Sequence, residues 1–220
     1  MSAHSTREES TLREEMTRIG KSLFDRGYTV GTAGNISVRL DDGWLITPTD
    51  ACLGDLDPAR IAKVNTAGEW LAGDAPSKTL ALHRAVYDRQ PDIHAVVHTH
   101  STHLVALTLA GVWHRDDVVP PLTPYHVMKV GHIPLLAYHR PGDPAVAAQV
   151  RELASSVRGV LLDRLGPVVW HRSLREASAT LEELEETARL FLMARLQGAT
   201  PEPLNAGQIT ELCTQFGVRW

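Results

Sequence analysis

The sequence has few cysteines, no long apolar run and no excess of positive charge. Cys52 and Cys213 are its two cysteines among 220 residues, which excludes a disulfide framework. No stretch approaches the roughly 20 apolar residues that cross a bilayer, and the N-terminal segment lacks the apolar run of a signal peptide. A net charge of −4 gives no electrostatic reason to expect nucleic acid or an anionic membrane as a partner. We therefore expect a cytoplasmic protein.

Helical and strand-like segments alternate along the chain. Apolar spacing predicts a first helix at about 7–26 and the longest one at 173–196, whereas 36–49 and 64–71 resemble hairpins. Asp57-Pro58, Ser77 and Asp143-Pro144 are typical helix starts, the second helix ending near 90. The pattern predicts one α/β domain over 1–220 with a mixed sheet, a disordered segment at about 1–9 and a C-terminal tail at 200–220.

The stretch VVHTHSTH places three histidines within six positions, after an apolar run. His98 and His100 lie two residues apart on a predicted strand, so both side chains point to one face. Such a pair can bind a transition metal, although it can equally be an ordinary pair at a strand end. His103 falls inside the next predicted helix, and we expect a structural role for it.

Two other stretches are suited to an anion. GTAGNIS, at 31–37, can leave backbone N–H groups free at a turn, as phosphate sites do, or can be an ordinary turn. Ser77 and Lys78 stand at a predicted helix N-terminus, where the helix dipole favours an anion, but where a serine is also an ordinary cap. TPT, at 47–49, adds hydroxyl groups.

In order along the chain, GNIS, ITPT, PSK, VVHTHSTH, PPLTPYHVMKVG, HRPGD, GPVVW and EELEETARLFL resemble the class II aldolase/adducin family. Within it they are most similar to the bacterial 3-oxo-tetronate 4-phosphate decarboxylases. The resemblance implies a three-layer α/β/α sandwich with a mixed, largely antiparallel sheet. It also implies a homotetramer with sites near subunit interfaces, acting on a small phosphorylated sugar acid or sugar.

The activity implied is that of a metal-dependent lyase that decarboxylates a 3-oxo-tetronate 4-phosphate to dihydroxyacetone phosphate and CO₂, or cleaves a related sugar phosphate. The resemblance implies one divalent metal per subunit, zinc first, with manganese, cobalt or iron as alternatives. Its metal-binding histidines match His98 and His100, and a catalytic tyrosine falls near Tyr125 or His126. Its phosphate-binding residues match Gly34, Asn35, Thr47, Thr49, Ser77 and Lys78.

The chain departs from the family pattern at two positions that carry chemistry. Thr79 stands where the resemblance predicts a glutamate that acts as acid/base, and Leu165 stands where it predicts a third metal-binding histidine. A threonine hydroxyl is not acidic enough to replace a carboxylate near neutral pH, and leucine has no ligand atom. In addition, Asp50 stands beside the phosphate where asparagine or glycine is expected, and its charge would repel the phosphate.

These departures leave several hypotheses open. The chain can be a lyase with a changed metal site, or a catalytically degenerate member that binds a ligand or supports assembly. Dehydratase, epimerase or iron-dependent oxygenase chemistry on the same scaffold is a third possibility. The candidates for replacement ligands are the histidines His83, His126, His139 and His171.

Overall fold

The computed structural model describes residues 3–220, and its centre is one eight-stranded sheet. The strands are β1 (Asn35–Leu40), β2 (Gly43–Ile46), β3 (Ala62–Asn65), β4 (Trp70–Ala72), β5 (Ala95–His98), β6 (Leu135–Leu136), β7 (Gly159–Leu162) and β8 (Gly166–His171). Their order across the sheet is β4-β3-β2-β1-β5-β8-β7-β6. Every neighbouring pair is antiparallel except β6 and β7, which confirms the predicted mixed, largely antiparallel sheet.

Helices cover both faces of the sheet, which confirms the three-layer sandwich. They are α1 (Ala3–Asp25), α2 (Leu80–Arg89), α3 (Thr102–Ala110), α4 (Pro144–Leu153), α5 (Leu174–Leu196) and α6 (Ala206–Phe216). One apolar core joins the sheet to α1, α3 and α5, and a second joins the opposite face to α2 and α4. No helix in the described part of the chain is long and apolar enough to span a membrane.

Alternation along β5 decides where its histidine points. Ala95 and Val97 are buried in the core beneath α1, α3 and α5, whereas Val96 is buried in the core beneath α2 and α4. Because side chains alternate between the faces of a strand, His98 lies on the same face as Val96. The functional side of the sheet is therefore the one that α2 and α4 cover.

Several local predictions differ from the structure at helix and strand ends. Helix α1 already includes residues 3–9 of the segment expected to be disordered, and residues 1 and 2 of that segment lie outside the described residues. Thr79, rather than Ser77, is the N-cap residue of α2, and its side chain makes no capping bond. Asp57 caps only one short 3₁₀ turn, whereas Asp143 caps α4 as predicted.

Candidate functional site

One cavity of about 320 Å³ lies at the end of β5, between the loops that precede α2 and α4. Its volume is within the range of small-molecule sites. This cavity is lined by most of the residues that the sequence predicted for the site, and also by Asp50 and Arg140. The predicted residues that line it are Gly34, Asn35, Thr49, Ser77, Lys78, Thr79, His98, His100 and Leu165. The structure thus brings together residues from six separate stretches of the chain.

His98 is held as a neutral imidazole with one free nitrogen. Its Nδ1 lies 2.8 Å from the carbonyl oxygen of Pro167, so Nδ1–H donates there and Nε2 keeps its lone pair. Burial, followed by the nearby His100, lowers the pKa of His98 to about 4, and burial also lowers the pKa of His100. The two ring centroids are 5.0 Å apart. Both imidazoles are therefore neutral near pH 7, as metal ligands must be.

The remaining donors do not complete a metal site. Thr79 and Leu165 line the same cavity but provide a neutral hydroxyl and an alkyl side chain. Among the described residues, no three histidine, cysteine, aspartate or glutamate side chains are grouped so that they could hold a metal ion. Zinc in proteins is usually held by three or four protein ligands. Two imidazoles alone therefore do not complete such a site.

None of the four candidate replacement histidines is free at the cavity. His83 lines it but uses both ring nitrogens inside the protein, with Ser37 and Asn35. His126 and His139 do not line it, and the Nε2 of His139 lies 3.1 Å from the amide nitrogen of Gln149. His171 lies at the end of β8 beside Glu176.

A buried chain of hydrogen bonds sets the direction of the Asn35 amide. The Tyr87 hydroxyl donates to Ser37 Oγ at 2.7 Å, and the Ser37 hydroxyl donates to Nδ1 of His83 at 2.7 Å. On the other side of the ring, Nε2–H of His83 donates to Oδ1 of Asn35 at 2.6 Å. Burial lowers the pKa of His83 to about 3, so this ring stays neutral. Because the oxygen of Asn35 faces His83, its NH₂ group is left as the donor for a ligand.

The loops that carry the hydroxyl groups are tied together by the backbone. Thr49 N–H donates to Ala75 O at 2.9 Å, and Ser77 N–H donates to Thr47 O at 3.2 Å. The Ser77 and Thr79 hydroxyls lie 2.9 Å apart, beside the first turn of α2. Hydroxyl groups and a helix N-terminus next to the Lys78 ammonium form a setting that favours an anion.

Three residues predicted for the site do not line this cavity within the single chain, namely Thr47, Tyr125 and His126. The Thr47 hydroxyl accepts the Ile36 backbone N–H at 3.2 Å and stabilises the β1–β2 hairpin instead of lining the cavity. Tyr125 is exposed at the surface, and His126 begins a π-helical turn, His126–Val130. His103 has the expected structural role, because its Nδ1 lies 2.8 Å from Glu185, which also accepts backbone N–H groups of α3.

The backbone conformation at position 50 favours a residue such as aspartate, apart from any effect of its charge. Its φ is +55°, in the left-handed region that glycine, asparagine and aspartate adopt most readily. This conformation accounts for the asparagine or glycine that the family resemblance predicts there. The exposed carboxylate of Asp50 lines the cavity mouth, where solvent reduces its repulsion toward a bound anion.

His126 is fully buried, and neither of its ring nitrogens has a hydrogen-bond partner in the described part of the chain. Burial, with a contribution from His132, lowers its pKa to about 4. In the unfolded chain the pKa of this histidine is near 6.5, so below pH 6.5 the unfolded chain binds a proton that the folded protein does not. The stability that the neutral buried ring contributes is therefore complete above pH 6.5 and is lost as the pH falls toward 4.

We therefore expect the His126→Phe variant to lose less stability than the parent between pH 7 and pH 5. The difference in slope is at most about 1.4 kcal/mol per pH unit. Urea unfolding at both pH values measures it, with His94→Phe, at an exposed histidine, as the control. Equal pH slopes for the parent and the His126 variant would contradict the assignment.

Comparison with known proteins gives consistent matches over nearly the whole chain. Residues 14–192 match the family model described as "Class II Aldolase and Adducin N-terminal domain". A Cupriavidus necator protein named 3-oxo-tetronate 4-phosphate decarboxylase is 69% identical, covering 96% of this chain and 99% of the relative. An Escherichia coli K12 protein of the same name is 50% identical, covering 93% and 96%. The crystal structure of YgbL from Escherichia coli has a TM-score of 0.88 at 48% identity, covering 93% of this chain and 98% of YgbL.

Proposed function

The chain belongs to the class II aldolase and adducin family, and we propose that it is a lyase that decarboxylates a 3-oxo-tetronate 4-phosphate to dihydroxyacetone phosphate and CO₂. The observation that carries the proposal is the single cavity that joins Ser77, Lys78 and the loop at Gly34 to His98 and His100. This arrangement offers a phosphate cradle next to two neutral imidazoles. The names of the relatives supply the substrate.

Decarboxylation is the family reaction that tolerates a hydroxyl at position 79 best. Aldol cleavage begins when a base removes a hydroxyl proton, and the Thr79 hydroxyl cannot act as that base near neutral pH. A 3-oxo acid needs no such base, since its carboxylate is already ionised and the electrons of the C1–C2 bond move onto the C3 carbonyl. One proton then adds to C2, so that substrate plus H⁺ gives dihydroxyacetone phosphate plus CO₂.

The residues of this chain have distinct tasks in the proposed reaction. Ser77 and Lys78 hold the phosphate and fix the substrate in reactive geometry. His83 orients the Asn35 NH₂ group so that it donates to a substrate oxygen. A donor that is already oriented before the reaction stabilises the negative charge that develops on that oxygen most effectively. The family implies a divalent metal, for which zinc stays the predicted ion, but among the described residues this chain offers it only the imidazoles of His98 and His100.

Assembly and location are part of the proposal. A homotetramer with sites near subunit interfaces is supported by apolar side chains that α5 leaves exposed, namely Leu190, Met193 and Leu196. It would give the exposed Tyr125 access to the cavity of a neighbouring subunit. Native mass spectrometry is expected to give a mass of four chains, and a stable monomer at micromolar concentration would contradict this. A cytoplasmic location stays a prediction.

Release of dihydroxyacetone phosphate and CO₂ from 3-oxo-tetronate 4-phosphate tests the proposed function. The purified protein with Zn²⁺ is expected to form both products in equal amounts and faster than the spontaneous reaction of a 3-oxo acid. The Lys78→Gln variant should show a higher KM, and Lys21→Gln, at an exposed site on α1, should match the parent. A rate equal to the spontaneous one would instead favour a binding module without catalysis.

A further inference from the structure

Arg140 lines the cavity but does not belong to the loops that form the proposed phosphate cradle. It belongs to the stretch His139–Asp143, which follows β6 at the far edge of the sheet. The phosphate-side loops adjoin β1 and β2, on the other side of β5 in the strand order. The cavity therefore receives one cation, Lys78, from the phosphate side and a second cation, Arg140, from the opposite side.

A tight turn fixes the backbone of Arg140 against α4. Asp143 N–H donates to Arg140 O at 3.1 Å, and the turn between them contains Pro141 and Gly142, whose φ is +78°. This is the residue pattern of a type II turn. Asp143 then accepts the Ala145 N–H at 3.0 Å and caps α4. The attachment point of the Arg140 side chain is thus set by the helix it precedes.

Among the described residues, the guanidinium of Arg140 has no side-chain hydrogen bond and no close ion pair; the Asp143 carboxylate, which also caps α4, attracts it only through space. A guanidinium presents two parallel N–H groups that match a carboxylate. The proposed substrate carries two anionic groups, a phosphate and a carboxylate, at opposite ends. The phosphate end is accounted for by Ser77, Lys78 and the α2 N-terminus, which leaves the carboxylate without a partner.

We propose that Arg140 binds the substrate carboxylate and makes the cavity selective for phosphorylated sugar acids over sugar phosphates that lack the acid group. This inference rests on the proposed function and adds a specificity-determining residue to it. The leaving CO₂ is neutral, so the ion pair with Arg140 weakens as the C1–C2 bond breaks. Arg140 therefore increases affinity for the substrate and does not accelerate the chemical step.

Two non-reactive ligands that differ only in the acid group test this role by calorimetry. D-erythronate 4-phosphate has a carboxylate, whereas D-erythritol 4-phosphate has a hydroxymethyl group in its place. We expect the parent to prefer the acid by about fivefold, because Arg140 is exposed and an ion pair at an exposed site contributes a modest free energy. Arg140→Gln should abolish the preference by weakening the acid alone. Lys78→Gln should weaken both ligands, and Arg175→Gln, on α5 at the opposite face, should change neither.

The possible results separate the two proposals. If Arg140→Gln still prefers the acid ligand as strongly as the parent, Arg140 does not bind the carboxylate. If the variant binds both ligands equally more weakly, Arg140 lies at the phosphate, and the proposed role is also wrong. If the parent binds neither ligand, the proposed function fails together with the inference. With the 3-oxo substrate, the same variant should show an increase in KM with kcat unchanged or higher; a fall in kcat at constant KM would also contradict the role.

Discussion

Replacing Thr79 with glutamate and Leu165 with histidine is expected to raise the affinity for Zn²⁺ by about ten-thousandfold. The four positions that would then hold ligands line one cavity, since Thr79 and Leu165 lie there with His98 and His100. Structural zinc sites with four ligands gain about 10–16 kcal/mol, or about 3 kcal/mol per ligand. Two restored ligands therefore contribute about 6 kcal/mol, which is about ten-thousandfold in Kd.

Competition titration with a chromophoric chelator measures this gain. Each single variant should improve zinc affinity by about a hundredfold, and the double variant should exceed both. The same pair of substitutions at the exposed hairpin positions Thr66 and Leu71 is the control and should leave zinc affinity unchanged. A double variant that binds zinc no better than the parent would mean that positions 79 and 165 do not face the histidine pair.

Replacing Gly166 with alanine is expected to lower the free energy of unfolding by about 2–4 kcal/mol. Its φ is +105°, and an added Cβ would lie 2.3 Å from the carbonyl oxygen of Thr99 and 3.1 Å from Cα of His100. The strained conformation costs about 1 kcal/mol and the clash costs about 1–3 kcal/mol. The next residue, Pro167, accepts the hydrogen bond of His98, so the histidine pair should move as well.

Gly198→Ala separates the backbone strain from the clash. Gly198 also has a positive φ, +72°, but an added Cβ would meet no described residue within 4 Å. Urea unfolding should show a loss of about 1 kcal/mol for this variant. Similar losses for the two variants would show that the close approach of Gly166 to the histidine segment has no energetic consequence.

The sequence was sufficient to predict features that depend on short spacing. Period two predicted His98 and His100 on one face of a strand; β5 ends at His98 and His100 follows it, but both line the cavity. The capping of α4 by Asp143 followed from Asp-Pro, a pair that provides an acceptor and a missing N–H at the same helix start. These features are local, so no knowledge of the tertiary fold was needed.

Features that depend on which strands are neighbours could not be predicted in the same way. The Thr47 hydroxyl looked free in the sequence, but the β1–β2 register brings it to the Ile36 N–H. The stretch with Arg140 was recognised as a motif without a role, because only the sheet order brings the loop after β6 to the cavity. The direction of the Asn35 amide likewise depends on His83, which is 48 residues away in the chain.

We expect this chain to keep decarboxylase chemistry, whereas the hydroxyl of Thr79 cannot supply the base that aldol cleavage requires. The most direct measurement compares, in one preparation with Zn²⁺, the kcat/KM for CO₂ release from 3-oxo-tetronate 4-phosphate with that for cleavage of L-fuculose 1-phosphate. We expect decarboxylation to be faster by roughly 100-fold or more, the usual contribution of a general base. Aldol cleavage at an equal or higher rate, or CO₂ release no faster than the spontaneous reaction, would contradict this expectation.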